Sequence, residues 1–422
     1  MAAAKVPEYR IKVEQIKPGV FIRIEKANWF DHPFLFNNFK VKDEKQIAVL
    51  RSLNFEYVIC VPEKSDALPL TLQEAVKQPP ATEIIVEEAL DELWDAKNER
   101  TTRLREKKER LAQCERYYVS SLKTLASLER LMRSGSSVGV NDTLAFIRRL
   151  ANYFLSDRES TLHLMNVMPD TDREYSHSLN VCVLSLMVGK DAGLNEKEMI
   201  HLGMGALFHD IGKSRIDVKV LKKRGALTRP EQGLIERHPV YGVDLLSSME
   251  LFPDEAMPIV AQHHERMDGS GYPQGLAGDK IDRMARIVAI ADAYDSLCNH
   301  HDPDQALTPY LTLSYLFGQQ KKKFDIEMLT LFIRCLGVYP PGTVVQLSNG
   351  AIGMVMSVSA KHQLQPSVVI YDANVPKKEA LIVDLKDEPD IKVEKSLRLS
   401  KLEPEVFEYL NPRTRISYYV GG

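Results

Sequence analysis

The stretch His263-His264-Glu265-Arg266-Met267-Asp268-Gly269-Ser270-Gly271-Tyr272-Pro273 sets two adjacent imidazoles beside two carboxylates and two glycines. Upstream, His209-Asp210-Ile211-Gly212-Lys213 places another imidazole next to a carboxylate, with a lysine shortly after. Six of the eleven histidines fall between positions 177 and 264: His177, His201, His209, His238, His263 and His264. Imidazole nitrogens and carboxylate oxygens together suit a small cluster of transition metals better than other common cofactors. Function is therefore to be sought where these groups meet.

Helical spacing surrounds them. Glu198 to Phe208 and Ile287 to Leu297 carry apolar residues at the intervals of a buried helix face. His209 and Asp210 follow the first of these, Gly212 stands where a helix can end, and Asp292 lies on the second. His177 falls on the preceding helical segment and His238 on the next one. Packed helices can aim such side chains inward, and an aspartate between two ions has lone pairs for both. Taken singly, His32, His163, His201 and His362 read as hydrogen-bonded structural residues.

Outward from this centre, the chain of 422 residues is long enough for several domains. A central all-α helical bundle is expected over 140–338. Residues 1–80 read as a small α/β module: strand-like Arg10–Val13, Phe21–Ile24 and Tyr57–Val61 surround a helix near Asp43–Leu53. The turn Lys17-Pro18-Gly19 separates the first two strands, and Pro79-Pro80 ends the unit. Trp29-Phe30-Asp31-His32-Pro33-Phe34 reads as a loop that could offer a recognition surface, with packing into a small core the preferred reading. Residues 82–135 form a long charged helix capped by Thr82 and broken at Ser134-Gly135-Ser136-Ser137. Leu104, Leu111, Tyr118, Leu125 and Met132 recur every seven residues, but the companion seam of Lys107, Cys114, Ser121 and Leu128 is poor for a coiled coil. This strut is expected to pack one face on a neighbour, which leaves room for a homodimer. Residues 340–422 read as a small β-rich module. Its strands are Val344–Leu347, Ile352–Val358, Ser367–Tyr371 and Ala380–Asp384, with Asn349-Gly350 as a hairpin turn and a tail of no clear pattern.

Composition narrows the partners. A net charge of −3 gives no general pull toward nucleic acid or anionic membrane. No apolar run approaches the ~18 residues of a membrane span, and no secretory signal opens the chain. Five scattered cysteines without a C-x-x-C pair fit buried thiols in a reducing, cytoplasmic setting.

H-D-x-G-K followed by H-H-E-x-x-D-G-x-G-Y-P resembles the HD-GYP family of HD-superfamily metal-dependent phosphohydrolases, as do His238-Pro239, Gly275-Leu276 and Arg286-Ile287 through Asp292. The N-terminal unit is similar to a domain of unknown function often found ahead of such domains. The resemblance implies an HD-type bundle that hydrolyses the bacterial second messenger cyclic di-GMP to pGpG and/or GMP, using iron or manganese. It implies metal ligands at His177, His209, Asp210, His238, His263, His264 and Asp292, and places Lys213 near the scissile phosphate. Asp268, Gly269, Gly271, Tyr272 and Pro273 match the loop that borders the site and is linked to protein partners; further partners would use the flanking modules.

Two departures matter. Members with three metals carry a glutamate four residues before the first ligand histidine; here Arg173 stands there and Glu174 one place later, so two divalent ions are expected. The family's Arg-Pro-Tyr-type phosphate grip is replaced by Cys298-Asn299-His300-His301-Asp302, with no Arg or Lys before Lys321. His300 and His301 are the nearest substitutes.

Two ions about 3.5–4 Å apart neutralise a phosphodiester's anionic oxygens and supply hydroxide near neutral pH. On this reading Asp210 bridges them, with His177, His209 and Asp292 on one side and His238, His263 and His264 on the other. Lys213 offsets charge developing on the phosphate. A catalytically weak receptor that binds cyclic di-GMP and signals through its flanking modules stays open as the alternative. An HD-type hydrolase of another nucleotide is disfavoured by the Gly-Tyr-Pro run.

Overall fold

The computed structural model describes residues 8–410 apart from 26–31, 35, 54, 76–82, 135, 165–172, 224, 250, 301–304, 360, 374, 376, 378–379, 381 and 399–401. The described residues divide into two compact units, one drawn from Met1–Glu109, Leu347–Ala351 and Ile370–Leu381, the other from Arg110–Gln346, Ile352–Val369 and Ile382–Gly422.

In the first unit, β1 (Tyr9–Lys12), β2 (Phe21–Arg23), β3 (Asn38–Lys40) and β4 (Tyr57–Cys60) form an antiparallel sheet in the order β1-β4-β2-β3. Strand alternation points Ile11, Ile22 and Val58 into a core shared with Ile47, Val49 and Leu50 of the Glu44–Ser52 helix. Asp43 caps that helix by accepting the Gln46 amide at 2.9 Å. The β3 strand was not expected, because three residues are too few to show alternation. His32 and Phe34 are buried, in keeping with the small-core reading of that stretch. Phe34 stacks on Phe39 at 4.7 Å, and apolar burial outweighs exposure. Trp29, Phe30 and Asp31 lie outside the described residues, as do Pro79, Pro80 and Thr82.

The second unit is a helical bundle around Arg173–Asp191. From Leu179 to Val188 every side chain is almost wholly buried, so this helix is covered on all sides. Each such leucine contributes about 1.5–3 kcal/mol relative to exposure. Ser137–Ser156, Glu196–Phe208, Met257–Gln262, Arg283–Cys298 and Ile326–Leu336 pack around it in one apolar core. A capping box joining Asn195 and Glu198 opens the Glu196–Phe208 helix.

The long helix runs from Glu83 to Arg133. Its later half lays Leu111, Cys114, Tyr118, Ser121, Leu122, Leu125, Leu128 and Met132 into the second unit. The neighbour of this face is thus the chain's own bundle. Ser121 is accommodated there because its hydroxyl donates to the Tyr117 carbonyl at 2.8 Å.

After the bundle come β5 (Val344–Leu347), β6 (Ile352–Ser357), β7 (Ser367–Ile370), β8 (Ile382–Asp384) and β9 (Val393–Leu397), ordered β8-β7-β6-β5-β9. Asn349-Gly350 turns the β5–β6 hairpin, with Gly350 at φ +86° and Asn349 Oδ1 accepting the Ala351 amide at 3.0 Å. The tail that lacked a pattern supplies β9 and a Pro404–Leu410 helix. No helix among the described residues is long and apolar enough to cross a membrane.

Candidate metal centre

The Glu196–Phe208 helix ends just before the His-Asp pair. His209 keeps helical angles, whereas Asp210, at φ −98° and ψ 2°, leaves the helix into a tight Ile211–Arg215 turn. That exit brings both side chains to one side, with His209 Nε2 3.4 Å from Asp210 Oδ2. Gly212 makes the turn possible: a Cβ there would overlap the His238 carbonyl oxygen and crowd the Gly242 amide. The turn therefore lies directly on the His238–Leu246 helix, which His238 opens. His263 ends the Met257–Gln262 helix and His264 follows it; His177 and Asp292 come from the Arg173–Asp191 and Arg283–Cys298 helices.

All seven expected groups converge. Asp210, His238, His263 and His264 offer ligand atoms within 4.8 Å of one another, as do His177, His209 and Asp210. Asp210 belongs to both sets. Its Oδ1 lies 3.1 Å from His238 Nε2 and 3.8 Å from His263 Nε2, while its Oδ2 lies 3.7 Å from His177 Nε2. Asp292 also faces both sets, with Oδ1 3.3 Å from His177 Nε2 and Oδ2 3.5 Å from His264 Nδ1.

The other ring nitrogens reveal the tautomers. His209, His238 and His263 each turn Nδ1 to a backbone carbonyl, of Ala206 at 2.7 Å, Ile235 at 2.6 Å and Val260 at 2.9 Å. An Nδ1–H must donate there, which leaves each Nε2 as a lone pair aimed inward. His209 Nε2 and Asp210 Oδ1 are buried without a hydrogen-bond partner. Buried acceptors left without a donor, as these two atoms are, are costly, and divalent cations would satisfy them. The donor set fits the metal that an HD domain implies.

The protonation states agree. Burial holds His263 well below the usual imidazole range, and the nearby His264, His209 and His238 add to it. Burial likewise pushes His264 down to about 3, against the pull of Asp292. For Asp210, burial favours the neutral acid, but Lys213 and His209 hold the carboxylate well below its ordinary value. His177 is the exception: burial disfavours its cation, yet hydrogen bonds to Asp292 and Asp295 raise it to about 10.

Lys213 Nζ sits 2.5 Å from Asp210 Oδ2, its side chain 30% exposed, so it is the cation at the edge of the cluster. The Tyr272 ring packs on His264 at 4.7 Å, forming a wall of the site. Gly271 is required by contact, since a Cβ would come within 2.5 Å of the Glu265 Cα and the His264 carbonyl oxygen. Gly269 has φ +78°, and Asp268 Oδ1 accepts from the Ser270 hydroxyl at 2.6 Å, closing the loop start. Pro273 follows Tyr272 on the same rim.

Sequence reasoning missed three supporting residues. Asp295 Oδ2 lies 2.7 Å from His177 Nδ1 and orients that ring. Asn180 Nδ2 donates to Asp295 Oδ1 at 2.8 Å. Each stands three residues beyond a ligand on its helix, a spacing that put them on the same face. Glu265 is buried and accepts the Gln274 and Leu276 amides at 2.8 and 2.9 Å, fastening the loop. Among the singly read histidines, His32 Nε2 meets Asn37 Oδ1 at 2.7 Å and His201 Nε2 lies 3.9 Å from Glu255. Within the altered segment Asn299 Nδ2 donates to Asp295 at 2.9 Å. His301 and Asp302 lie outside the described residues.

Comparison with known proteins matches residues 8–143 to a domain of unknown function, DUF3391, and residues 156–328 to the HD domain. The chain is 26% identical to a Pseudomonas aeruginosa protein named cyclic di-GMP phosphodiesterase PA4108, over 86% of this chain and 84% of that one. It is 41% identical to the cyclic di-GMP phosphodiesterase response regulator RpfG of Xanthomonas campestris, over 35% of this chain and 39% of the relative. Against a Thermotoga maritima cyclic di-GMP phosphodiesterase the identity is 32%, over 45% of this chain and 54% of the relative. The chain thus spans about half or less of the latter two. The chain thus carries an HD domain preceded by DUF3391, with H-D-x-G-K and H-H-E-x-x-D-G-x-G-Y-P on the HD domain.

Proposed function

We propose that this chain hydrolyses cyclic di-GMP to pGpG and/or GMP with two divalent ions, iron or manganese. His177, His209 and Asp292 would hold one ion, His238, His263 and His264 the other, and Asp210 both. The observation that carries this reading is Asp210 itself, whose two oxygens face two different groups of imidazoles. Relatives named as cyclic di-GMP phosphodiesterases support the substrate.

When bound, the ions would supply a nucleophile at neutral pH and neutralise the diester's charge. The protein does the rest. Imidazoles whose Nδ1–H donates to a backbone carbonyl turn Nε2 toward the cluster, where it would serve as a ligand. Lys213 holds a non-bridging phosphate oxygen and offsets charge that builds on it during attack. Tyr272 covers His264 and keeps bulk water from that side. Asp268, Gly269, Gly271, Tyr272 and Pro273 form the substrate rim and a docking point for protein partners. Catalysis is assigned to residues 140–338, with 82–135 as the connecting helix and 1–80 and 340–422 as interaction modules.

Anaerobic purification, elemental analysis and turnover of cyclic di-GMP with iron(II) or manganese(II) test the proposal. Release of pGpG or GMP no faster than from Asp210→Ala would refute it.

A further inference from the structure

We propose that Tyr118 is a positioning residue for His177, acting through Asn180 and Asp295. This rests on the metal-centre reading above. The Tyr118 side chain is 3% exposed, and its hydroxyl donates to Asn180 Oδ1 at 2.7 Å. The opposite end of that amide, Nδ2, donates to Asp295 Oδ1 at 2.8 Å, and Asp295 Oδ2 lies 2.7 Å from His177 Nδ1. Asn180 and Asp295 stand on the two helices that carry His177 and Asp292. Tyr118 comes from the Glu83–Arg133 helix, which holds none of the expected ligands.

The chemistry gives the chain a direction. A carboxylate accepts only, so Asp295 requires the N–H of His177 and the NH₂ end of Asn180. An amide is nearly symmetric in shape, and its two ends are told apart only by their partners. The phenol reinforces this choice: its O–H donates to Oδ1, so the amide is gripped at both ends and stays aimed at Asp295. Without that donor Oδ1 loses a buried partner and the hold on the Asp295 end loosens. Asp295 then loses part of its support, and the His177 ring loses the fixed tautomer that points Nε2 at Asp210 and Asp292. Outer partners of metal ligands typically alter affinity by about 10–100-fold; one step further out, about tenfold is expected.

The experiment is a manganese(II) titration of the full metal-free chain, followed by the electron paramagnetic resonance of free manganese. Wild-type protein is expected to bind two ions; failure to bind any overturns the metal-centre reading and this inference with it. Tyr118→Phe keeps the ring volume and is expected to weaken one site about tenfold, leaving the second unchanged. Asn180→Leu should weaken the same site, and the double variant should add nothing further, because one chain is broken twice. Tyr117→Phe, a neighbour outside the chain, should bind as wild type. Two wild-type affinities in Tyr118→Phe, equal weakening of both sites, or additive losses in the double variant would overturn the proposal while leaving the metal centre standing. If Asn180→Leu does not fold, the isosteric Tyr118→Phe decides alone.

Discussion

The Nε2 atoms of His238 and His263 lie 3.1 Å apart, while Nδ1 of each ring donates to a backbone carbonyl. Two lone pairs therefore face each other beside Asp210 Oδ1, in buried surroundings. Such an arrangement is stable in company with a cation and strained without one.

Metal should accordingly stabilise the fold. Removing it with a chelator and restoring manganese(II) is expected to raise the thermal midpoint as metal is added, each site adding about 2.7 kcal/mol of stability at a hundredfold excess over Kd. Differential scanning fluorimetry over a metal series checks this. A flat midpoint would exclude a binding site in the folded bundle.

Asp210 and His177 should fail differently. Asp210→Ala touches both ligand groups and is expected to leave less than one ion per chain, whereas His177→Ala removes a member of one group and should leave about one. Elemental analysis after gel filtration distinguishes the two, with circular dichroism showing that the helices persist.

Metal affinity should climb with pH, and His177 is the reason. His264 sits near 3 and His263 well below its usual range, so both are neutral at pH 7. His177, raised to about 10, is still protonated there and must lose that proton to bind. Affinity is thus expected to rise about tenfold per pH unit from pH 7 toward 10. In the metal-free protein the sign reverses: the His177 ion pairs stabilise fully below its unfolded pKa of about 6.5 and fade as pH rises through about 10. Calorimetric titration at several pH values reads the first effect and chelated-protein melting the second. An affinity independent of pH would contradict this account.

Gly212→Ala is expected to cost more than an ordinary surface glycine. Its new methyl would overlap the His238 carbonyl, so the His-Asp turn must lift from the helix beneath it. A loss of about 1–3 kcal/mol is expected from overpacking, together with weaker metal binding. Urea denaturation and the manganese titration measure the two.

Glu265→Ala should free the loop without unfolding the bundle. It removes the carboxylate that accepts the Gln274 and Leu276 amides; with Gln274 exposed and Leu276 half-buried, the cost falls below the ~1–3 kcal/mol of a fully buried group left unpaired. Limited proteolysis is expected to cut between 266 and 277 in the variant and not in wild type.

What the sequence disclosed, and what it hid, follows from the kind of interaction involved. The converging imidazoles and carboxylates were legible because few other roles need those groups at that density, and the bundle because its helices repeat apolar residues at helical spacing. Asp295, Asn180 and Tyr118 were hidden because they act by hydrogen bonds between distant segments; only the three-residue step from a ligand gave a hint. The long helix was read with a seam too polar for a partner helix. Ser121 and Cys114 are buried all the same, since the hydroxyl bonds within its own helix and the thiol lies 3.9 Å from Thr161 Oγ1. The β3 and β9 strands are short or flanked by charge, so their pairing depends on neighbours that a linear pattern does not show.

Glu265 immediately follows His264 in the chain, and its carboxylate grips the far side of the Gly-Tyr-Pro segment. Ligand and rim are thereby fused into one rigid lever with the peptide between 264 and 265 as its fulcrum. On the proposed reading, whatever docks on the rim also bears on the imidazole cluster, and a change in that cluster bears on the surface offered to a visitor.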